Sequence, residues 1–110
     1  MYTMNKSTRI VETRIVGISF NKRKEVAELL TEREQVFLVR EPDNPFDSNA
    51  VKVVRWDHQQ FGYLERELAK VLAPTMDRFG RFFKARVSRL TGGYCPGSSL
   101  GVLIKFYLPE

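Results

Sequence analysis

The chain has 110 residues, 43% of them hydrophobic, with 18 Lys+Arg against 13 Asp+Glu and a net charge of +5 at pH 7. That length and composition fit one folded domain with its own core and exclude a disordered tail, while the basic balance favours a polyanionic partner without requiring one. A single cysteine, Cys95, excludes an intrachain disulfide and a multi-cysteine zinc site.

The opening "MYTMNKSTRI" has no apolar h-region, so it does not read as a secretory signal, and residues 1–7 are expected to form a frayed polar terminus ahead of a domain over 8–110. From Thr8 to Phe20 β-branched residues dominate, with Val16, Ile18 and Phe20 on one face of a predicted strand. Val11, Thr13 and Ile15 have the opposite parity, so a bulge or bend near Arg14 would let both sets face inward. Asn21 can cap a short helix over Lys22 to Thr31, with Val26, Leu29 and Leu30 as its apolar stripe.

Val36 to Val39 is a continuous apolar run, expected of a buried strand, and "EPDNPFDSNA" then turns the chain into a strand from Asn49 to Trp56. A tight turn at Asp57 to Gln59 leads to a return strand through Phe61 to Leu64. A second helix is predicted from Glu65 to about Phe79, with Leu68, Val71, Leu72, Met76 and Phe79 on one side. Pro74 lacks a backbone donor and should kink or divide it. Two strands follow: Arg81 to Leu90, with Phe83, Ala85 and Val87 inward, and Leu100 to Leu108, with Leu100, Val102, Ile104 and Phe106 inward. "TGGYCPGSS" between them reads as a loop of turn formers. The final apolar stretch, "LGVLIKFYL", is too short to span a bilayer and is broken by Lys105, so no membrane partner is expected. The sum is a mainly β protein, a small barrel of five or six strands with two short helices.

Catalytic chemistry finds little support. His58 sits in a polar turn, and no Ser-His-Asp or Cys-His pair has a recognisable setting. "GGYCPGSSLG" lacks the lysine and spacing of a phosphate-cradling loop, and Glu65 and Glu67 fall on different helix faces. "DNPFDSN" fails as a calcium loop, because Pro45 stands where a ligand is needed and Val54 where the closing glutamate belongs. No enzyme, metal or cofactor is expected.

Two readings of the 41–50 turn compete. In the first it is scaffolding: Pro42 and Pro45 fix φ, Asn44, Asp47 and Asn49 bond nearby backbone, and Phe46 plugs the barrel mouth. In the second its carboxylates hold a ligand. Favouring a nucleic-acid ligand, Lys84 and Arg86 share a face with Ser88 within a run of five bases and no acid from Arg78 to Arg89. Aromatics interleave with bases at Phe20, Tyr63 and Tyr94, as in small barrels that stack the bases of single strands.

The segments "RIVGISF", "LVREPDNPFDSNAVKV" and "FGYLERELAKVLAPTMD", in this order and followed by a β-rich close, resemble the HIRAN domain over about Ile15 to Phe106. The resemblance implies an OB-like barrel and a module that binds single-stranded DNA at a free 3′-hydroxyl end. Such domains occur on helicase-like ATPases of replication-fork repair and as small stand-alone proteins. It thus implies a repair protein such as a helicase as a neighbour, in the nucleus for an excised eukaryotic domain, or in the cytoplasm or nucleoid for a bacterial one. It further implies that Asp47 accepts the 3′-hydroxyl, Phe46 packs on the terminal nucleotide, Asn44 shapes the pocket, Phe20 stacks on a base and Arg66 meets a phosphate. Phe20 and Phe46 stand where members that bind 3′ ends tend to have tyrosine. Ser19 stands in place of an arginine, and Asn21 in place of an aromatic. Phe20, Asn44, Phe46, Asp47 and Arg66, with Tyr63, Lys84, Arg86 and Tyr94, make up the expected nucleic-acid site. A protein-interaction barrel that takes a peptide or partner domain in a groove rimmed by Phe20, Tyr63 and Tyr94 is the alternative.

Overall fold

A computed structural model describes residues 2–18, 22–92 and 100–108. Alternating apolar residues set the faces of its sheet. Val36 and Leu38 in β3 (Gln35–Arg40), Val51 and Val53 in β4 (Val51–Val54), and Val102 and Ile104 in β7 (Gly101–Tyr107) are fully buried. Ala85 and Val87 of β6 (Phe82–Thr91) and Phe61 of β5 (Gln60–Tyr63) complete that inner layer. With β1 (Tyr2–Asn5) and β2 (Ile10–Arg14) they form one antiparallel sheet of seven strands, ordered β1-β2-β7-β6-β3-β4-β5.

The sheet curls until the chain just past β2 meets its β5 edge. Just past β2, Val16 exchanges both backbone hydrogen bonds with Tyr63 at the far edge, each 2.9 Å long, while Ile15 N–H still donates to Val102 on β7. The approach is close enough to demand glycine at 62. A Cβ there would run into the Ile15 side chain and stand 2.8 Å from the Val16 carbonyl oxygen. The result is a curled half-barrel with two helices, as the mainly β reading expected, with more strands than the five or six foreseen.

Several local expectations change. Tyr2–Asn5, expected to fray, pairs in register with β2. Val11, Thr13 and Ile15 form the inward set, whereas Val16 is 42% exposed, because the strand ends at Arg14 and Gly17 turns the chain with φ +73°. Helix α1 is limited to Arg23–Ala27. Bonds from Leu29 N–H to Val26 and from Leu30 N–H to Ala27 tighten its exit, so Leu30 is buried and Leu29 faces water. The Asn21 cap, like Ser19, Phe20, Tyr94 and Cys95, lies outside the described residues.

Helix α2 (Arg66–Phe79) runs unbroken through Pro74. Pro74 and Lys70, whose carbonyl loses its usual donor, are both exposed, so water can serve the freed group. The buried side of α2 is Leu68, Ala69, Leu72, Ala73 and Met76, while Val71 and Phe79 are exposed. Both alanines are almost completely buried. Leu68, Ala69, Leu72 and Met76 join Val26, Ala27 and Leu30 in the sheet's own core. Both helices therefore cap one interior, and no helix is long and apolar enough to cross a membrane among the described residues.

Candidate nucleic-acid interface

The turn between β3 and β4 is held from both sides. Within it, Glu41 N–H donates to the Ala50 carbonyl and Ala50 N–H to the Asp47 carbonyl, each at 3.0 Å. The Asn44 amide oxygen accepts from the N–H groups of Phe46 (2.9 Å) and Asp47 (3.1 Å), and Asp47 Oδ1 accepts from Asn49 N–H at 2.9 Å. These are side chains mimicking backbone, which is why Asn and Asp occupy those positions.

Arg40 anchors the turn from below. Its guanidinium is buried, donates to the Ala50 carbonyl at 2.9 Å and grips both carboxylate oxygens of Asp77 on α2, at 3.0 and 3.2 Å. Arg81 reaches the same carboxylate at 3.4 Å. Hydrogen bonding from Arg40 holds the Asp77 carboxyl below the ordinary aspartate range, assisted by the charges of Arg40 and Arg81.

A second anchor sits at the β5 end. The Tyr63 hydroxyl donates to Glu41 Oε1 at 2.7 Å, and Asn44 Nδ2 donates to the same oxygen at 2.6 Å. Burial pushes the Tyr63 phenol up from its ordinary value, and the bond to Glu41 adds to that, so the ring keeps its proton and remains a donor. Arg23 of α1 lies over the Tyr63 ring at 5.0 Å and donates to the Gly17 carbonyl at 3.0 Å.

Between turn, β5 and α2 opens a cleft of about 640 Å³, bordered by Asn44, Phe46, Asp47, Tyr63, Arg66 and Arg23. Five residues expected at the site, Asn44, Phe46, Asp47, Tyr63 and Arg66, are thus gathered in one place. Phe46 is 90% exposed, which overturns its reading as a plug of the barrel mouth. Asp47 uses Oδ1 inside the turn, and no described residue is found bonded to Oδ2. The same cleft takes in Glu41 and Asp43 beside Arg23 and Arg66, so its charge is mixed rather than basic. Lys84 and Arg86 are elsewhere. They border another cleft, of about 530 Å³, that shares no residue with the first.

Glu41 and Arg23 are the site residues that sequence reasoning passed over. Glu41 stands inside the turn, but the partner that ties it to β5, Tyr63, is 22 positions away. Arg23 belongs to a Lys-Arg-Lys run that the following Glu25 and Glu28 make look like an ordinary solvated face.

The HIRAN domain family model matches residues 9–109, nearly the whole of this architecture. The chain belongs to the HIRAN domain family. A Fanconi-associated nuclease 1 homolog of Oryza sativa subsp. japonica is 42% identical over 79 residues, covering 69% of this chain and 8% of that protein. The helicase-like transcription factor of Oryctolagus cuniculus is 49% identical over 49 residues, covering 44% of this chain and 5% of that protein. The chain therefore spans less than a tenth of the length of either relative. Among solved structures, the crystal structure of the HIRAN domain of human HLTF superposes with a TM-score of 0.66 at 27% identity, covering 92% of this chain and 77% of that one. A Lactobacillus plantarum protein shares the fold at a TM-score of 0.68 and 24% identity. The curled sheet with two helices is thus the OB-like barrel of HIRAN domains.

Proposed function

We propose that this HIRAN domain is a non-catalytic module that grips single-stranded DNA by a free 3′-hydroxyl end, at the cleft beside the 41–50 turn. Family membership supports a DNA-binding module related to repair proteins. The observation that carries the finer reading is the state of Asp47: one carboxylate oxygen is engaged in the turn, and the other has no described partner at an open cleft. An ionised carboxylate accepts hydrogen bonds but repels phosphate, so near a DNA strand it suits a terminal sugar hydroxyl such as the 3′-hydroxyl. Phe46, exposed at the rim, offers the terminal nucleotide a ring, worth about 1–3 kcal/mol in base stacking. Arg66, exposed on the first turn of α2, can meet the phosphate behind it. The partner at hand would be a helicase or another repair protein.

A single oligonucleotide carrying a 3′-hydroxyl, a 3′-phosphate or a blocked end, titrated in turn against the domain, tests this reading. The hydroxyl form should bind most tightly. Equal affinities for all three would reject the pocket, and failure of every oligonucleotide to bind at low salt would hand the cleft to a peptide.

A further inference from the structure

The outer face of the sheet bears a set of side chains that, Tyr63 apart, the 3′-end pocket does not use. Strand register places Tyr63, Lys52, Val39 and Phe82 side by side on β5, β4, β3 and β6. Their sequence neighbours Val51, Val53, Leu38 and Arg40 are buried, so this row lies on the outside. Tyr63 belongs to the Asp47 cleft, and the row leads straight from it across the sheet. At its far end Phe82, 51% exposed, stacks on Phe37 with centroids 4.8 Å apart and planes at 20°. From there β6 carries Lys84 and Arg86 outward into the second cleft, where Lys105, Arg33 and the 70% exposed Tyr107 join them.

The charge of this second cleft is one-sided. Arg86 spends one N–H on the Arg33 carbonyl at 3.0 Å, and Lys105 stands 3.8 Å from Glu12; Lys84 has no ion-pair partner among the described residues. A guanidinium has five donors, so Arg86 retains most of its capacity. The distances suit a strand. Three strand spacings carry the path about 14 Å from Tyr63 to Phe82, and four residues of β6 add about 13 Å to Arg86. Exposed rings beside cations, continuous with an end-binding cleft, form a surface on which bases stack while phosphates meet lysine and arginine.

We infer that the outer face from Lys52 through Phe82 and Phe37 to Lys84, Arg86 and Tyr107 binds the internal nucleotides of a single strand, independently of how that strand ends. The inference rests on the DNA-binding reading but not on the 3′-hydroxyl pocket. It also gives Lys84 and Arg86 a task that their separation from Asp47 otherwise leaves unexplained.

Fluorescence anisotropy of the intact domain with 4- and 12-nucleotide single strands, each with a 3′-hydroxyl or a 3′-phosphate, tests it. Phe82→Ala and the double variant Lys84→Ala/Arg86→Ala both change exposed side chains. Each should weaken the 12-mer by roughly tenfold, and the double variant should weaken the 4-mer much less, since only the longer strand runs the full path of about 27 Å to Arg86. For the double variant, the slope of log affinity against log salt should flatten by about 1.4, as two phosphate contacts are lost. Preference for the hydroxyl end should persist in both variants. An Asp47→Asn domain that keeps full end preference would sink the pocket while leaving this surface standing. Unchanged 12-mer affinity in Phe82→Ala and in the double variant, or equal losses for both lengths in the double variant, would overturn the inference.

Discussion

Replacing Asp47 by Asn isolates the charge from the shape. The amide oxygen can still accept from Asn49 N–H, now 2.9 Å from Oδ1, so the turn should keep its form. What disappears is the Asp47 carboxylate, one of three that border the cleft. A hydrogen bond to a charged group contributes about 1.5–3 kcal/mol, and because Asp47 is half-buried at an open cleft the lower figure applies. That is about tenfold in affinity for a 3′-hydroxyl. A 3′-phosphate instead meets repulsion of up to about 4 kcal/mol at ~4 Å near a protein surface, relieved as the strand end backs away. Together these set the preference of the native domain on the order of 10- to 100-fold, and Asp47→Asn should bring it within roughly threefold. A 5′-labelled oligonucleotide with either terminus, followed by anisotropy at fixed salt, reads both numbers. Undiminished discrimination by the Asn variant, at unchanged melting temperature, would refute the assignment of that carboxylate to the strand end.

Gly62→Ala should destabilise the domain by about 1–3 kcal/mol through collision with Ile15 and the Val16 carbonyl, lowering the thermal midpoint by roughly 5–15 °C. An unchanged midpoint would mean that the sheet closure gives way freely. Arg66→Ala should weaken all oligonucleotides alike and flatten the salt slope by about 0.7; an unaltered slope removes Arg66 from the phosphate contacts. Asp77 titrates below its ordinary 3.8 when folded, so its ion pair with Arg40 stabilises the domain above that pH and is lost as pH falls below it. Urea midpoints should therefore drop less steeply between neutral pH and pH 3 in Asp77→Asn than in the native chain. Tyr63 shifts the opposite way: the folded state holds the phenolic proton more tightly, which contributes a fall in stability as pH rises past 10, and Tyr63→Phe should lessen that decline.

What the sequence disclosed follows the range of the interactions. The 41–50 turn is written in prolines and Asx residues two or three positions apart, and its hydrogen bonds are equally local. The last two strands show a period of two, and their inward residues match the buried set at Ala85, Val87, Val102, Ile104 and Phe106. Position 46 misleads because a phenylalanine between prolines and aspartates carries no mark of which way it points. The parity of β2 is equally ambiguous, since both sets are apolar and the choice is made by pairing with β7 and by the bridge to Tyr63. In α2 the expected stripe is right at Leu68, Leu72 and Met76, but Ala69 and Ala73, weak as hydrophobic signals, are buried in place of Val71 and Phe79. The Glu41–Tyr63 bond and the separation of Lys84 and Arg86 from the cleft arise from the curling of the sheet, which no local pattern encodes.

Arg40 gives the site a property beyond its contacts. By clasping the carbonyl of Ala50 and the carboxylate of Asp77 together, one buried guanidinium sets the loop's shape before any ligand arrives. Little chain entropy is then left to surrender on association, so in the proposed end-binding role selectivity would reside in how fast a mismatched terminus departs, rather than in a slow refolding around the right one.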